Sequence, residues 1–390
     1  MIAKTLTAAL TLGSIAAAAP SIMSRQTATQ KLLIGTPDQI LTADFDGDGF
    51  QVTSKNESAG SVASWMRYNA DTNTLYAVNE NADNLNLFTL DSETKTEPTF
   101  FGSATGSSGV VFLEFNKDKT RMVGAGYGSA KVDVWDISDS SALPTLLKSL
   151  TVEGELGPGQ EAHHPHQALI DPTGDFIVIP DLGGDQLLVL DTRDDKYEFT
   201  NAVPLFSGAG PRHGGFITSG DKTFYMVACE VSNQLILFGL DYSDESGLGF
   251  TELQKQSTYG EGVTPPTGSA AGTLIIASNN RDVYISNRLT GDESDSIAHF
   301  VFSSDDSKLT FADSVPCLGI QPRDMSFSAD EALIFIANQA GANGLVALQR
   351  SSDSGALTAE PIAVHAMDGD IVAPGQEGAT YPGPQFVKLI

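Results

Sequence analysis

The feature that most limits what this chain can fold into is an internal repeat of about fifty residues. The segment Gln167 to Asp191 reads QALI, DPTG, FIVIP, DLGGD, QLLVLD, so short β-rich runs alternate with tight-turn signals. The same arrangement returns in WMRYNADTNTLYAVNENADNLNLFTL from Trp65 and in GVVFLEFNKDKTRMVGAGYGSAKVDVWDI from Gly109. It returns again from Pro211, from Gly272 and from Pro322. Aligned on the end of the second strand, the units place Glu80, Tyr127, Asp181, Glu230, Arg288 and Gln339 in register, at separations of 47, 54, 49, 58 and 51 residues.

Three clear strands and a weaker fourth per unit, repeated at this period, specify an all-β seven-bladed β-propeller with four-stranded antiparallel blades. Six blades are visible, and residues 26 to 390 have room for seven. The seventh is therefore split. Lys31 to Phe45, KLLIGTPDQILTADF, supplies strands at the start and Pro384 to Ile390, PQFVKLI, supplies one at the end. Pairing these N- and C-terminal strands in one blade closes the ring and removes exposed sheet edges.

Residues 1 to 19, MIAKTLTAALTLGSIAAAA, have one early charge, an apolar run and a small-residue stretch, which reads as a secretory signal peptide. Residues 20 to 30 form a short leader, and 31 to 390 the propeller. No later segment has the run of about twenty apolar residues that a membrane helix needs. The chain is expected to be secreted and extracellular, with no membrane partner. Its formal charge, 22 − 49 = −27, argues against nucleic-acid binding. Two cysteines, Cys229 and Cys317, are too few for a disulfide framework, and the sequence leaves open whether they pair.

In an antiparallel blade the start of the first strand and the end of the second lie at one end of the sheet. Those positions from all blades surround one mouth of the central channel. The opposite turns are ordinary: NADT, NKDK, DPTG, SGDK, SNNR, SADE. On the mouth side, first strands begin with Trp65-Met66, His164-Pro165-His166, Arg212-His213 and Arg323-Asp324, and second strands end with Asn79-Glu80, Asp181, Glu230, Asn287-Arg288 and Asn338-Gln339. Three of the six histidines and three arginines collect on this rim. Alternation puts His164 and His166 on one face and turns His163 away, while Pro165 keeps His164 extended.

Individually such residues are as readily explained as strand-end caps and partners for channel water; together they mark a site. His-x-His without a third ligand at defined spacing is a weak metal signal, so no metal is expected. Asp44 to Gly49, DFDGDG, starts like a calcium loop but has Lys55 at its twelfth position, and reads as a hairpin turn. Neither G-x-S-x-G nor a P-loop occurs, and no cofactor is expected.

At these residues the chain resembles the seven-bladed lactonase propellers, the family containing bacterial 6-phosphogluconolactonase and the fungal carboxy-cis,cis-muconate lactonising enzyme. The resemblance is carried by LLIGT, SWM, LYAVNE, HPHQALIDPTGDFIVIPDLG, GPRHGGF with the later CE, YISNR, and QPRDMSF with IFIANQ. It implies a site of His166, Arg212, Glu230 and Arg288 facing a small carboxylated lactone or its open acid. The arginines would hold a carboxylate or polarise the ester oxygen, and His166 with Glu230 would move the proton. His164, Asp181, His213, Trp65, Glu80, Arg323 and Gln339 would complete the substrate-binding rim.

The expected activity is that of a secreted lactonase or lactonising cycloisomerase working without metal or nucleotide on a small molecule. A tailoring cyclase of a secondary-metabolite pathway, including a cycloaddition type, is the first alternative, which apolar rim residues such as Trp65, Met66, Ala270 and Ala271 would favour. The second alternative is a secreted binding or antigenic propeller without turnover.

Overall fold

The computed structural model of the chain describes residues 29–57, 60, 62–244, 247–367, 369–370 and 382–390. The signal peptide and nearly all of the leader expected from the sequence lie outside the described residues. The described residues form seven four-stranded antiparallel sheets. Six are continuous in sequence and span 66–105, 110–151, 169–204, 211–257, 270–316 and 320–365; we number them as blades one to six. The seventh combines Gln30–Thr36, Gln39–Phe45 and Phe50–Asn56 with Phe386–Leu389 as its innermost strand. Ile34 pairs with Val387 and Gly35 with Phe386, so the ring closes by the expected antiparallel contact.

Burial follows strand position. The second strand of blade three, Phe176–Asp181, is buried at every residue, whereas the outermost strand Glu198–Pro204 alternates exposed and half-buried side chains. A sheet packed on both faces needs continuous apolar sequence, while an edge half in water needs only alternation. This is why the fourth strand of each unit is the faint one in the sequence. The core divides into seven clusters, each between two neighbouring blades. Met226 and Leu237 of blade four meet Val283 and Ile285 of blade five in one of them, and Leu32 and Leu41 of blade seven meet Phe335 of blade six in another. No blade encloses a core of its own; each buries its faces only against its neighbours.

The sequence DFDGDG is a hairpin turn, with Asp46 Oδ1 accepting from the backbone N–H groups of Asp48 and Gly49. Cys229 and Cys317 are both buried and free. One expectation needs correction. His164-Pro165-His166 does not begin a regular strand, because the inner strand of blade three is only Leu169–Ile170. The histidine stretch is instead pinned by an isolated bridge between Pro165 and Asp181 and by the His166 N–H donating to Pro180 O at 2.9 Å.

That irregularity recurs. In blade two, pairing passes from Val110–Gly126 to Phe112–Ala125, leaving Val111 as an extra residue. In blade four it passes from Pro211–Cys229 to His213–Ala228, leaving Arg212, and in blade six from Pro322–Asn338 to Asp324–Ala337, leaving Arg323. Blade five has one residue in excess between Ala271 and Leu274. A bulge of this kind re-aims one side chain out of the alternation. Five consecutive inner strands thus break register at the mouth end, where Arg212 and Arg323 sit.

Candidate functional site

The bulges are built locally. Gly210 and Gln321, which precede the two Pro-Arg pairs, both take the left-handed backbone, at φ 61° and 56°. Each N–H is fixed by an aspartate of a neighbouring turn, Gly210 by Asp185 and Gln321 by Asp295, both at 2.7 Å. Glycine adopts this conformation freely; Gln321 holds it against an unfavourable backbone preference. The strand that follows then presents its arginine to the mouth.

Arg212 and Glu230 face each other within blade four, and Arg288 joins them from blade five. Glu230 Oε2 lies 2.8 Å from Arg212 Nε and 3.0 Å from Arg288 Nη2. Arg212 is almost wholly buried, at 3% side-chain exposure, while Glu230 keeps 27%. The Arg212 contact is close but not aligned as a hydrogen bond. Arg212 Nη1, Arg288 Nε and His166 Nδ1 are likewise buried without hydrogen-bond partners among the described residues. Buried donors left unpaired are costly, so a concentration of them is a place prepared for another group.

Gly272 makes room for Arg288. A Cβ there would stand 2.3 Å from Ser286 Oγ and 2.9 Å from both Cδ and Nε of Arg288. The apolar appearance of SAAGT in the sequence is therefore the space the arginine occupies. Ser286 Oγ accepts from the Thr273 N–H at 2.9 Å and stabilises the bulge.

His166 packs edge-on to His213, with ring centroids 5.1 Å apart, and to Tyr127 at 5.5 Å. Burial, followed by the charge of Arg212, holds both histidines well below the ordinary imidazole range. Both are neutral at neutral pH. Burial and the charge of Arg288 pull Arg212 down to about 9 against the attraction of Glu230, which leaves it protonated. A neutral imidazole beside protonated guanidiniums can accept a proton while the guanidiniums hold an anion.

The other rim residues have distinct positions. Asp181 is fully buried and accepts from the His164 N–H and Gln186 while contacting His163 Nδ1 at 2.7 Å, so its carboxylate shapes the histidine loop and does not face the mouth. His164 has its Nδ1 2.8 Å from Tyr127 O and its ring stacked on Tyr127 at 4.2 Å. Arg323 reaches from blade six past blade seven to Glu80 of blade one, 2.9 Å away. Trp65 stacks on Phe112 and meets His213 edge-on. Beneath these residues the channel continues as a cavity of about 180 Å³ lined by Trp65, Gln167, His213, Thr273, Asp324 and Lys388, among others.

Two sequence expectations are not met. Gln339 lines a separate depression with Gly341, Met367 and Gly383 and is not among the groups brought to the cluster. Met66 is 2% exposed and packs with Leu33 and Leu75, and it lines the channel cavity beneath the cluster and not an open rim. Conversely, Tyr127 and Gln167 were missed. Tyr127 occupies the second-strand end in the repeat alignment and could have been found there. Gln167 bonds the Gly214 backbone in both directions, at 2.7 and 3.4 Å, and its partner is invisible from the sequence. Among the described residues no group of three or more His, Cys, Asp or Glu side chains is arranged to hold a metal.

The family model described as lactonase, 7-bladed beta-propeller, matches residues 27–372. A probable 6-phosphogluconolactonase of Arthroderma benhamiae is 33% identical over 260 residues, 64% of each chain. The 6-phosphogluconolactonase of Bacillus subtilis is 30% identical over 242 residues, 62% of this chain and 66% of that one. The matched stretch thus spans a little under two thirds of each of these relatives. Among solved structures, the periplasmic gluconolactonase of Pseudomonas aeruginosa superposes with a TM-score of 0.75 at 21% identity, covering 93% of this chain and 99% of the other.

Proposed function

Since the chain belongs to the seven-bladed β-propeller lactonase family, we propose that it adds water across the ester bond of a small lactone at the channel mouth. The observation that carries this reading is the pair of arginines from adjacent blades gathered on one Glu230 oxygen, with buried, unpartnered N–H groups and neutral His166 beside them.

In this reading His166 takes a proton from water as the oxygen bonds to the lactone carbonyl carbon. Arg212 and Arg288 donate to the oxyanion that develops there, in a buried setting where such donors act strongly. The ring C–O bond then breaks, and the leaving alkoxide receives the proton from imidazolium. Glu230 holds both guanidiniums through Oε2 and so keeps them aimed at the oxyanion, while the product acid releases its proton to solvent. No cofactor enters these steps. The reverse of these steps closes a hydroxy acid to its lactone with loss of water; a cycloisomerase would instead add the carboxylate across a carbon–carbon double bond of the same molecule, with a proton delivered to carbon. The N-terminal sequence supports export, so the substrate is expected outside the cell.

The test is incubation with a panel of five- and six-membered lactones at constant pH, following acid release by titration. Hydrolysis of at least one lactone well above the spontaneous rate is expected. Binding without turnover across the panel would replace this reading with that of a binding propeller.

A further inference from the structure

We infer that the mouth selects lactones without a phosphate group, carrying at most one negative charge. This rests on the lactonase reading of the same site and specifies its substrate class.

Charge at the mouth is the first reason. Arg212, Arg288 and Arg323 are the cations gathered there, and Glu230 and Glu80 are held against them. His166 and His213 add no charge at neutral pH, because burial keeps them in the neutral form. In the cavity beneath, Asp324 is offset by Lys388 and Glu114 by Arg67, so three cations and two anions at the mouth leave a single positive charge, with Arg323 already occupied by Glu80 at 2.9 Å. One carboxylate, or one developing oxyanion, matches that surplus. A phosphate ester, carrying nearly two charges, does not.

The second reason lies in the loops around the mouth. The chain reverses there between the second and third strands of each blade, and between each fourth strand and the next blade. The described residues of those loops contain no lysine or arginine. They do contain acids, including Glu153, Glu155, Glu161, Glu261 and Asp292. A dianion therefore approaches through negative potential and meets no cation before the arginine cluster. Over the screening length of about 8 Å at physiological salt, such a rim opposes entry and like charges disfavour binding.

Glu80 is the control point. Its removal frees Arg323 and raises the surplus at the mouth from one positive charge to two.

The experiment compares an unphosphorylated aldonolactone with its phosphate ester, using the full chain. Wild type is expected to show kcat/KM for the unphosphorylated lactone at least about tenfold higher, and the gap should narrow as salt is raised. Glu80→Gln is expected to shift the ratio about tenfold toward the phosphate ester. Calorimetric binding of the open acids, with and without phosphate, gives the same comparison independently of turnover and of the variant's folding. Wild-type preference for the phosphorylated compound in both measurements overturns the inference while leaving the lactonase reading intact. Hydrolysis of neither lactone removes that reading, and the binding comparison alone then decides this one.

Discussion

Arg288 and Glu230 are 58 positions apart and belong to different blades, yet Arg288 Nη2 stands 3.0 Å from the carboxylate oxygen that also meets Arg212. Two guanidiniums share one anion, and what they retain is directed at the mouth. The consequences can be tested group by group.

Replacing Arg212 with alanine removes a donor to the developing oxyanion. We expect kcat/KM to fall by about 10²- to 10³-fold in steady-state assays. Arg212→Lys should recover little, since a point charge cannot reproduce the planar fork. A near-normal rate in either variant would remove the proposed role.

Glu230→Gln leaves Arg212 and Arg288 close together without their shared counter-charge. Complete burial would make such a loss worth about 3–5 kcal/mol; partial exposure of Glu230 reduces the expectation to about 1–2 kcal/mol by chemical denaturation. Activity should fall as well, because the guanidiniums then repel each other out of position.

Acidification should destabilise the protein before it inactivates it. His166 and His213 have folded pKa values below their unfolded value of 6.5. The unfolded chain therefore binds more protons as pH drops below 6.5, and stability is lost, by about 1.4 kcal/mol per pH unit for each histidine until its folded pKa is reached. Asp324 acts oppositely. Burial raises it to about 6, so between pH 6 and 3.8 the folded state takes up its proton first and gains stability as pH falls. Two histidines against one carboxyl leave a net loss. Urea midpoints measured from pH 7 to 5 should decline, less steeply in His213→Gln, while kcat/KM stays level down to well below pH 6.5.

Gly272→Val should displace Arg288. The added carbons collide with Ser286 and the guanidinium stem, at a cost of about 1–3 kcal/mol. Activity should fall more than stability alone explains, and Gly272→Ala combined with Ser286→Ala should recover part of both. A fully active Gly272→Val would show that Arg288 need not lie where it does.

The ring and its closure were legible in the sequence because they rest on what recurs. Turn residues, buried second strands and the split seventh unit each leave a periodic trace. Much of the mouth was legible for the same reason, since strand ends align and unusual residues at aligned positions stand out. Unreadable features depend on register. No residue in GPRH or QPRD announces that the arginine is the extra member of a bulge, and HPHQ reads as a strand although only Leu169–Ile170 is paired regularly. Gly272 reads only as the opening of a repeat unit, and nothing in the sequence tells that it leaves room for Arg288. Gln339 aligns with Glu230 and Arg288 but lines another depression, since repeat position fixes the backbone and not what surrounds it.

Closure by Phe386–Leu389 also decides when blade seven is complete. The strand that completes the ring follows every other described strand in the chain, so blade seven lacks its innermost strand until Phe386–Leu389 is in place, whereas blades three to five can bring His166, Arg212, Glu230 and Arg288 together before that. A chain cut before Phe386 should therefore leave the inner edge of Gln30–Thr36 unpaired, a bare strand open to pairing with another molecule.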